Sequence, residues 1–283
     1  MTEHLDPDAL LVAYDAQLRA HVPPILPAGV TVEHDGPVTR MVGFDHGGFV
    51  TYRDVSGLDS AELDALIARQ RDYFAARGER VEWKLHGHDL PADLSERLVA
   101  AGFEPEEPET VVIGLAAPLA QPPVLPEGVT LREVNSRADL DRIAAMEEAV
   151  WNEGRLWLAE GLEKEIAADP DSVTVVVAEA GGEVVSAGWI RYVPGTDFAG
   201  LWGGSTLAQW RGRGIYKALV AYRAIRAIER GYSYLQVDAS PDSRPILNRL
   251  GLISITTTTP YVWSPPTDAA APAAPVGPAA PAA

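Results

Sequence analysis

Apolar and polar residues follow two periods along this chain, and the points where the period changes mark its elements. Leu63, Leu66, Ile67, Tyr73 and Phe74 recur every three or four residues between 60 and 77, which predicts an amphipathic helix with Asp59 as its cap. Residues 30–52 ahead of it read loosely as strands, and 81–86 behind it, after Gly78, as a further strand. A shorter helix over 92–101 stops at Gly102 and is followed by a strand at 111–115. The same order returns further on. Residues 201–207 are short, apolar and broken by glycine, as a strand with a bulge is. Ile215, Leu219, Tyr222, Ile225 and Ile228 then predict the buried face of a helix, with Arg223, Arg226 and Arg230 turned elsewhere. A strand at 232–240, a short helix capped by Ser243 and stopped at Gly251, and a strand at 254–263 interrupted at Pro260 complete the second copy.

Two proline-rich stretches punctuate the repeat. Residues 116–128 read as an extended linker, and 265–283, almost pure Ala and Pro, as a disordered tail with too little bulk to pack. The expected domains are therefore 1–115 and 129–264. No stretch is apolar enough to span a membrane, and the acidic first eight residues lack the apolar core of a signal peptide. Cysteine is absent, which removes disulfides, thiolate metal sites and an acyl-cysteine intermediate, and a cytoplasmic enzyme is the simplest expectation.

Charge separates the halves. Residues 1–128 carry 22 acidic and 9 basic side chains, residues 129–283 carry 18 and 14, and the whole chain is at −17. Such a surface repels nucleic acid and anionic membranes but suits a cationic substrate such as an amine. Chemistry concentrates at Arg211-Gly212-Arg213-Gly214-Ile215-Tyr216, between the bulged strand and the long helix. A glycine turn there lets backbone approach a ligand, and the first N–H groups of the helix point outward at its positive end. With two arginines added, the physics specifies a phosphate or pyrophosphate cradle. No Gly-Lys-Ser/Thr follows, which argues against a P-loop, and no G-x-G-x-x-G, which argues against a dinucleotide fold.

The run resembles the R-x-x-G-x-G/A signature of the GNAT superfamily of acyl-CoA-dependent N-acyltransferases. A register beginning at Gln209 also fits; the one from Arg211 is preferred because it starts the apolar helix face at Lys217-Ala218-Leu219, and it puts Tyr216 in place of the last small residue. The resemblance covers roughly residues 129–264 and implies an α/β (α+β) fold of two GNAT-like domains, each a mixed, mostly antiparallel sheet with flanking helices. The first copy is degenerate, since its turn at 54–59 holds one glycine and two carboxylates, which would repel a pyrophosphate.

The same resemblance implies acetyl-CoA as cosubstrate, held by Thr206, Leu207, Arg211, Gly212, Arg213, Gly214, Ile215, Tyr216, Lys217 and Ser243, with oxyanion donors around Thr206 and Leu207. The family's usual glutamate falls on Gly200, its tyrosine acid on Leu247 and its asparagine near Ser240, so three expected groups are missing. Asp238 is the remaining carboxylate candidate for catalysis. Glu147, Glu148 and Glu153 lie on or just after the first helix of the domain, and Glu148, Trp151 and Trp202 are expected at the acceptor pocket. His86 and His88 share one strand without a third ligand in sight, so no metal is expected. The implied function is acetyl transfer to a small-molecule amine, and the tandem domains are compatible with a monomer without fixing the oligomeric state; the alternative is an inactive module that binds acyl-CoA or a protein.

Overall fold

The computed structural model describes residues 5–45, 47–152 and 154–266. The tail expected at 265–283 lies almost wholly outside them, as does Glu153. The first half runs α1 (Pro7–Gln17), β1 (Thr31–Asp35), β2 (Val38–Val42), β3 (Gly48–Tyr52), α2 (Ser60–Arg77), β4 (Val81–His86), α3 (Leu94–Ala100), β5 (Glu104–Pro105) and β6 (Glu109–Leu115). After a short α4 (Ala116–Leu119), the second half runs β7 (Val129–Val134), α5 (Arg137–Trp151), α6 (Leu156–Ala168), β8 (Val173–Ala180), β9 (Glu183–Tyr192), β10 (Phe198–Thr206), α7 (Ile215–Glu229), β11 (Tyr234–Ala239), α8 (Arg244–Arg249) and β12 (Ile253–Trp263). The mixed, mostly antiparallel α/β architecture is the expected one.

The strand order is β1-β2-β3-β4-β12-β6-β11-β10-β9-β8-β7, a single sheet through both halves. The halves exchange their last strands. β4 pairs with β12 rather than with its own half's β6, and β11 pairs with β6 rather than with β12. β6 and β12 pair with each other at the centre. The linker therefore marks a chain crossover and not a break in the sheet. Its first residues are also not extended: α4 buries Ala116 and Leu119 in the core beside α7.

Alternation along the strands assigns the helices to the two faces. On β11, Leu235, Val237 and Ala239 meet α7 and α8, while Tyr234 packs in the cluster of Leu10 and Tyr14 from α1. α5 and α6 cover β8 and β9 through Leu140, Ile143, Leu158 and Leu162. α2 and α3 close over β2 to β4 through Leu63, Leu66, Phe74 and Leu98.

Three local expectations need correction. Arg223 is fully buried and Ile228 is exposed, because the face of α7 that meets the sheet is Ile215, Ala218, Leu219, Val220, Arg223, Ala224 and Ala227. The alanines let helix and sheet approach closely, and the Arg223 guanidinium is accommodated by the carbonyls of Leu219, Trp189 and Trp202. β12 runs unbroken through Pro260, whose position opposite Lys84 tolerates the missing donor. Ser243 makes no side-chain cap; its own N–H donates to the Ser240 hydroxyl.

Candidate functional site

β10 and β11 pair in parallel only where Phe198, Ala199 and Gly200 face Tyr234, Leu235 and Gln236. Beyond that point β10 stays with β9 and β11 stays with β6, so a gap opens in the sheet. β10 bulges between Gly203 and Ser205, leaving Gly204 without a partner on β9. Backbone φ angles of +67° at Gly203 and +93° at Gly204 explain why glycine stands at both.

The Arg-Gly turn sits at the mouth of this gap. Gly214 is the N-cap of α7 at φ +84° and has no side chain to satisfy the first-turn N–H groups. A Cβ at Gly212 or Gly214 would meet nothing within 4 Å, so those donors face open space at the positive end of the dipole. Arg213 and Lys217 are exposed beside them, Arg213 stacked 4.7 Å from the Trp210 ring. Arg211 clasps the turn to β10 by donating from Nε to the Thr206 carbonyl at 2.9 Å. Ile215 is a core residue, so only its backbone is available to a ligand.

Two members of the expected cofactor set are otherwise engaged. The Leu207 N–H donates to the Val185 carbonyl at 3.0 Å, and the Thr206 hydroxyl pairs with that of Ser186. The Leu207 N–H is therefore not left to polarise a carbonyl, and Gly204 is the strand position without a partner on β9. Tyr216 turns its ring inward: a Cβ on Gly204 would lie 2.6 Å from it. Burial raises the Tyr216 phenol above its usual range, with a hydrogen bond to Ser243 acting the other way. The ring thus spans from β10 towards α8 at the inner edge of the turn.

On the opposite face of the sheet, Gly200, Trp202, Gln236 and Asp238 follow one another around the gap. A Cβ at Gly200 would lie 3.0 Å from Trp202 Nε1, so the indole stands where the family's glutamate would. Trp202 is 46% exposed, with Arg191 4.6 Å over its ring and Arg191 in turn paired to Glu165 of α6. Both Asp238 oxygens are taken, Oδ2 by the Lys84 ammonium and Oδ1 by Gln236 Nε2. Lys84 comes from β4, three strand spacings away, roughly 14 Å in a flat sheet. Their contact shows that the sheet curls into a trough on this face. Burial disfavours the Lys84 ammonium, but Asp238 and its neighbours outweigh that and raise it above the usual lysine range. Glu109, on the same trough, is pushed up to about 7 by burial and then by Asp238. Leu247, the position of the expected acid, is fully buried in the core.

The two described glutamates expected on the α5 wall differ in burial. Glu148 is exposed, whereas Glu147 is 4% exposed and turned inward. Glu147 Oε2 accepts from Trp151 Nε1 and from the Ser205 hydroxyl on β10, each at 2.8 Å. The signal was present, since Leu140, Ile143, Ala144 and Glu147 fall at i, i+3, i+4 and i+7 on one helix face. Trp151 is 53% and Trp157 38% exposed, with Arg155 beside both rings. Among the described residues no group of three or more His, Asp or Glu side chains is arranged to hold a metal ion.

A sequence model of the acetyltransferase (GNAT) family matches residues 138–251, which contain the bulged strand, the turn and α7. Over that span the C-terminal half is similar to the GNAT family. Solved structures extend the likeness of fold to nearly the whole chain. A GCN5-related N-acetyltransferase from Kribbella flavida is 17% identical over 92% of this chain and 94% of its own, at a TM-score of 0.61. A tandem GNAT protein of the clavulanic acid biosynthesis pathway is 13% identical over 93% and 95%, at 0.60. A conserved protein of unknown function from Staphylococcus epidermidis is 13% identical over 85% and 96%, at 0.62. No curated protein matches the chain. The GNAT fold therefore underlies both halves, including the one whose turn is acidic, and among the described residues no helix is long and apolar enough to cross a membrane.

Proposed function

We propose that the chain is an acetyl-CoA-dependent N-acetyltransferase acting on a small amine, with one functional site per chain, in the C-terminal half. The observation that carries this reading is the glycine cradle. Gly212 and Gly214 leave unobstructed N–H donors at a helix start flanked by Arg213 and Lys217, and this suits a pyrophosphate. The gap beside β10 suits the extended pantetheine arm, whose amides would pair with a strand edge. Gly204, at the bulge, is the place for donors that stabilise a tetrahedral oxyanion, an effect worth several kcal/mol when preorganised. Because the chain has no cysteine, the amine attacks the thioester directly.

Gly214→Asp tests the cradle. It sets a carboxylate among the free N–H groups, and aspartate tolerates the left-handed backbone better than most residues. CoA affinity measured by calorimetry should fall at least ~100-fold, the order expected when a charge-assisted hydrogen-bond set is lost, while the wild-type protein binds one CoA per chain. Unchanged affinity in a folded variant would sink the cofactor assignment. CoA binding without release of free CoA from acetyl-CoA across a panel of amines would instead favour a binding module.

A further inference from the structure

Glu147 presents an unusual combination. Its Oε2 is satisfied twice over, by Trp151 and Ser205, while its Oε1 is buried and has no hydrogen-bond partner. Leaving a buried carboxylate oxygen unpaired costs stability, so its retention calls for an explanation such as a bound water or ion or a catalytic role. The place is suggestive, because Ser205 follows the bulge at Gly204, so the carboxyl lies on the α5 side of the strand that borders the gap. Exposed Trp151 donates to it, Arg155 lies near the rings of both Trp151 and the exposed Trp157, and Trp202 faces the same side three residues before Ser205 on β10. The expected glutamate of β10 is absent at Gly200, so no other carboxylate on that strand serves the amine.

We infer that Glu147 receives the acceptor amine: its free Oε1 binds the ammonium and takes its proton before attack, and the tryptophans hold an apolar body attached to that amine. This inference rests on the transferase reading above. In the step, the ammonium gives one proton to Glu147 and its lone pair bonds to the thioester carbon. The C–S bond then breaks, and the second amine proton passes to the departing thiolate. Glu147 returns its proton to water.

The electrostatics suit this role. Burial pushes the Glu147 carboxyl above the ordinary carboxylate range, with the hydrogen bonds from Ser205 and Trp151 and the field of Arg155 acting in the opposite direction. Ser205 is what β10 presents to it, Trp151 is on its own helix, and Arg155, in the turn before α6, is the charge that reaches it. A carboxyl raised towards neutrality is a better proton acceptor at working pH than an ordinary one.

Glu147→Gln keeps an oxygen for Trp151 and Ser205 and removes only the charge. Wild type should show an acid limb in the pH profile of kcat/KM for benzylamine, with a midpoint above ~4.3, the ordinary glutamate value. The variant should lose that limb and fall ~100-fold or more in kcat/KM, with CoA affinity unchanged by calorimetry. Benzylamine binding to the CoA-loaded protein should weaken in the variant, while benzyl alcohol, which is neutral, should not discriminate.

Stability gives a readout of opposite sign from a structural role. A carboxyl whose folded pKa is raised weakens the fold as pH rises through the window between its unfolded and folded values. The glutamine variant should therefore melt at the same temperature as wild type or higher at pH 8. An active wild type whose glutamine variant keeps its kcat/KM and its acid limb, or a variant that melts lower and binds benzylamine as before, overturns the inference. Loss of CoA binding or of all transfer in wild type strikes the transferase reading, and benzylamine binding still decides the role of Glu147.

Discussion

In the N-terminal half, β3 and β4 pair in parallel where Gly48 to Val50 face Val81 to Trp83 and then part, as β10 and β11 do in the C-terminal half. What fills the gap differs. Beyond β3 the space is taken by Asp89, which accepts from Arg19, from the Tyr52 hydroxyl and from the His86 N–H. Arg19 also lies 5.2 Å over the Tyr52 ring. α1 packs behind it, with the Tyr14 hydroxyl 3.1 Å from His86 Nε2. His86 is pushed down to about 2 by burial and then by Arg19 and Lys84, so the plug contains a neutral imidazole. The helix starts differ in the same sense. Asp59 caps α2 with its own carboxylate, accepting from the N–H groups of Ala61 and Glu62 in a capping box. One half answers its helix N-terminus with a side chain, the other with glycine. The same topology is thus a filled gap on one side and, on the other, an open one beside a helix start capped by glycine.

The plug is the larger difference, and Asp89→Ala breaks it. Arg19 and Asp89 are buried to 3% and 4% side-chain exposure, so removing the carboxylate leaves a buried guanidinium with only the longer contact to Asp15 at 3.7 Å as an ion pair. A cost of about 3–5 kcal/mol is expected for such a loss, read as a lower denaturation midpoint. CoA should still titrate to one per chain, because Asp59 remains. A variant as stable as wild type would mean that Asp89 does not hold the N-terminal gap closed.

Much of this contrast was legible in the sequence. The Arg211 to Gly214 turn, the bulged strand ahead of it, the helix over 60–77 with its Asp59 cap, and the acidic turn before that cap all depend on local pattern and on residues with fixed conformational meaning. What stayed hidden was non-local. No periodicity tells that β12 inserts beside β4, that Lys84 reaches Asp238 across the curl of the sheet, or that α1 closes the first gap. The Arg223 error arose because arginine was taken as a surface residue, whereas carbonyls beneath the sheet supplied its partners. The burial of Glu147 is non-local in the same way, since its partner Ser205 comes from β10.

Asp238 and Lys84 join the two halves, and Asp238→Asn sharpens what that junction does. The variant keeps an oxygen for Gln236 Nε2 and removes the counter-charge of Lys84. Because both oxygens are already engaged, the expected fall in kcat/KM is under ~10-fold, below the range for loss of a general base. Stability should drop by about 1–3 kcal/mol, as for a charged hydrogen bond lost at a half-buried site. A fall of ~100-fold with folding intact would restore Asp238 to proton transfer and would place the amine in the trough rather than against α5.

The smallest effect is expected from Asp59→Gly, which gives the first half the helix start of the second. Glycine is nearly as good an N-cap as aspartate, so the variant should lose only about half a kcal/mol, and the Glu62 carboxylate keeps its bond from the backbone N–H of residue 59. The N–H groups of Ala61 and Glu62 would then be free, as those at the start of α7 are. If freeing a helix N-terminus were enough to make a pyrophosphate site, a second CoA should now bind. It should not, because Arg19, Tyr52 and Asp89 still occupy the gap that the pantetheine arm would need. A stoichiometry of two in Asp59→Gly would show that the aspartate cap alone silences the first half, and that its plug yields to the ligand.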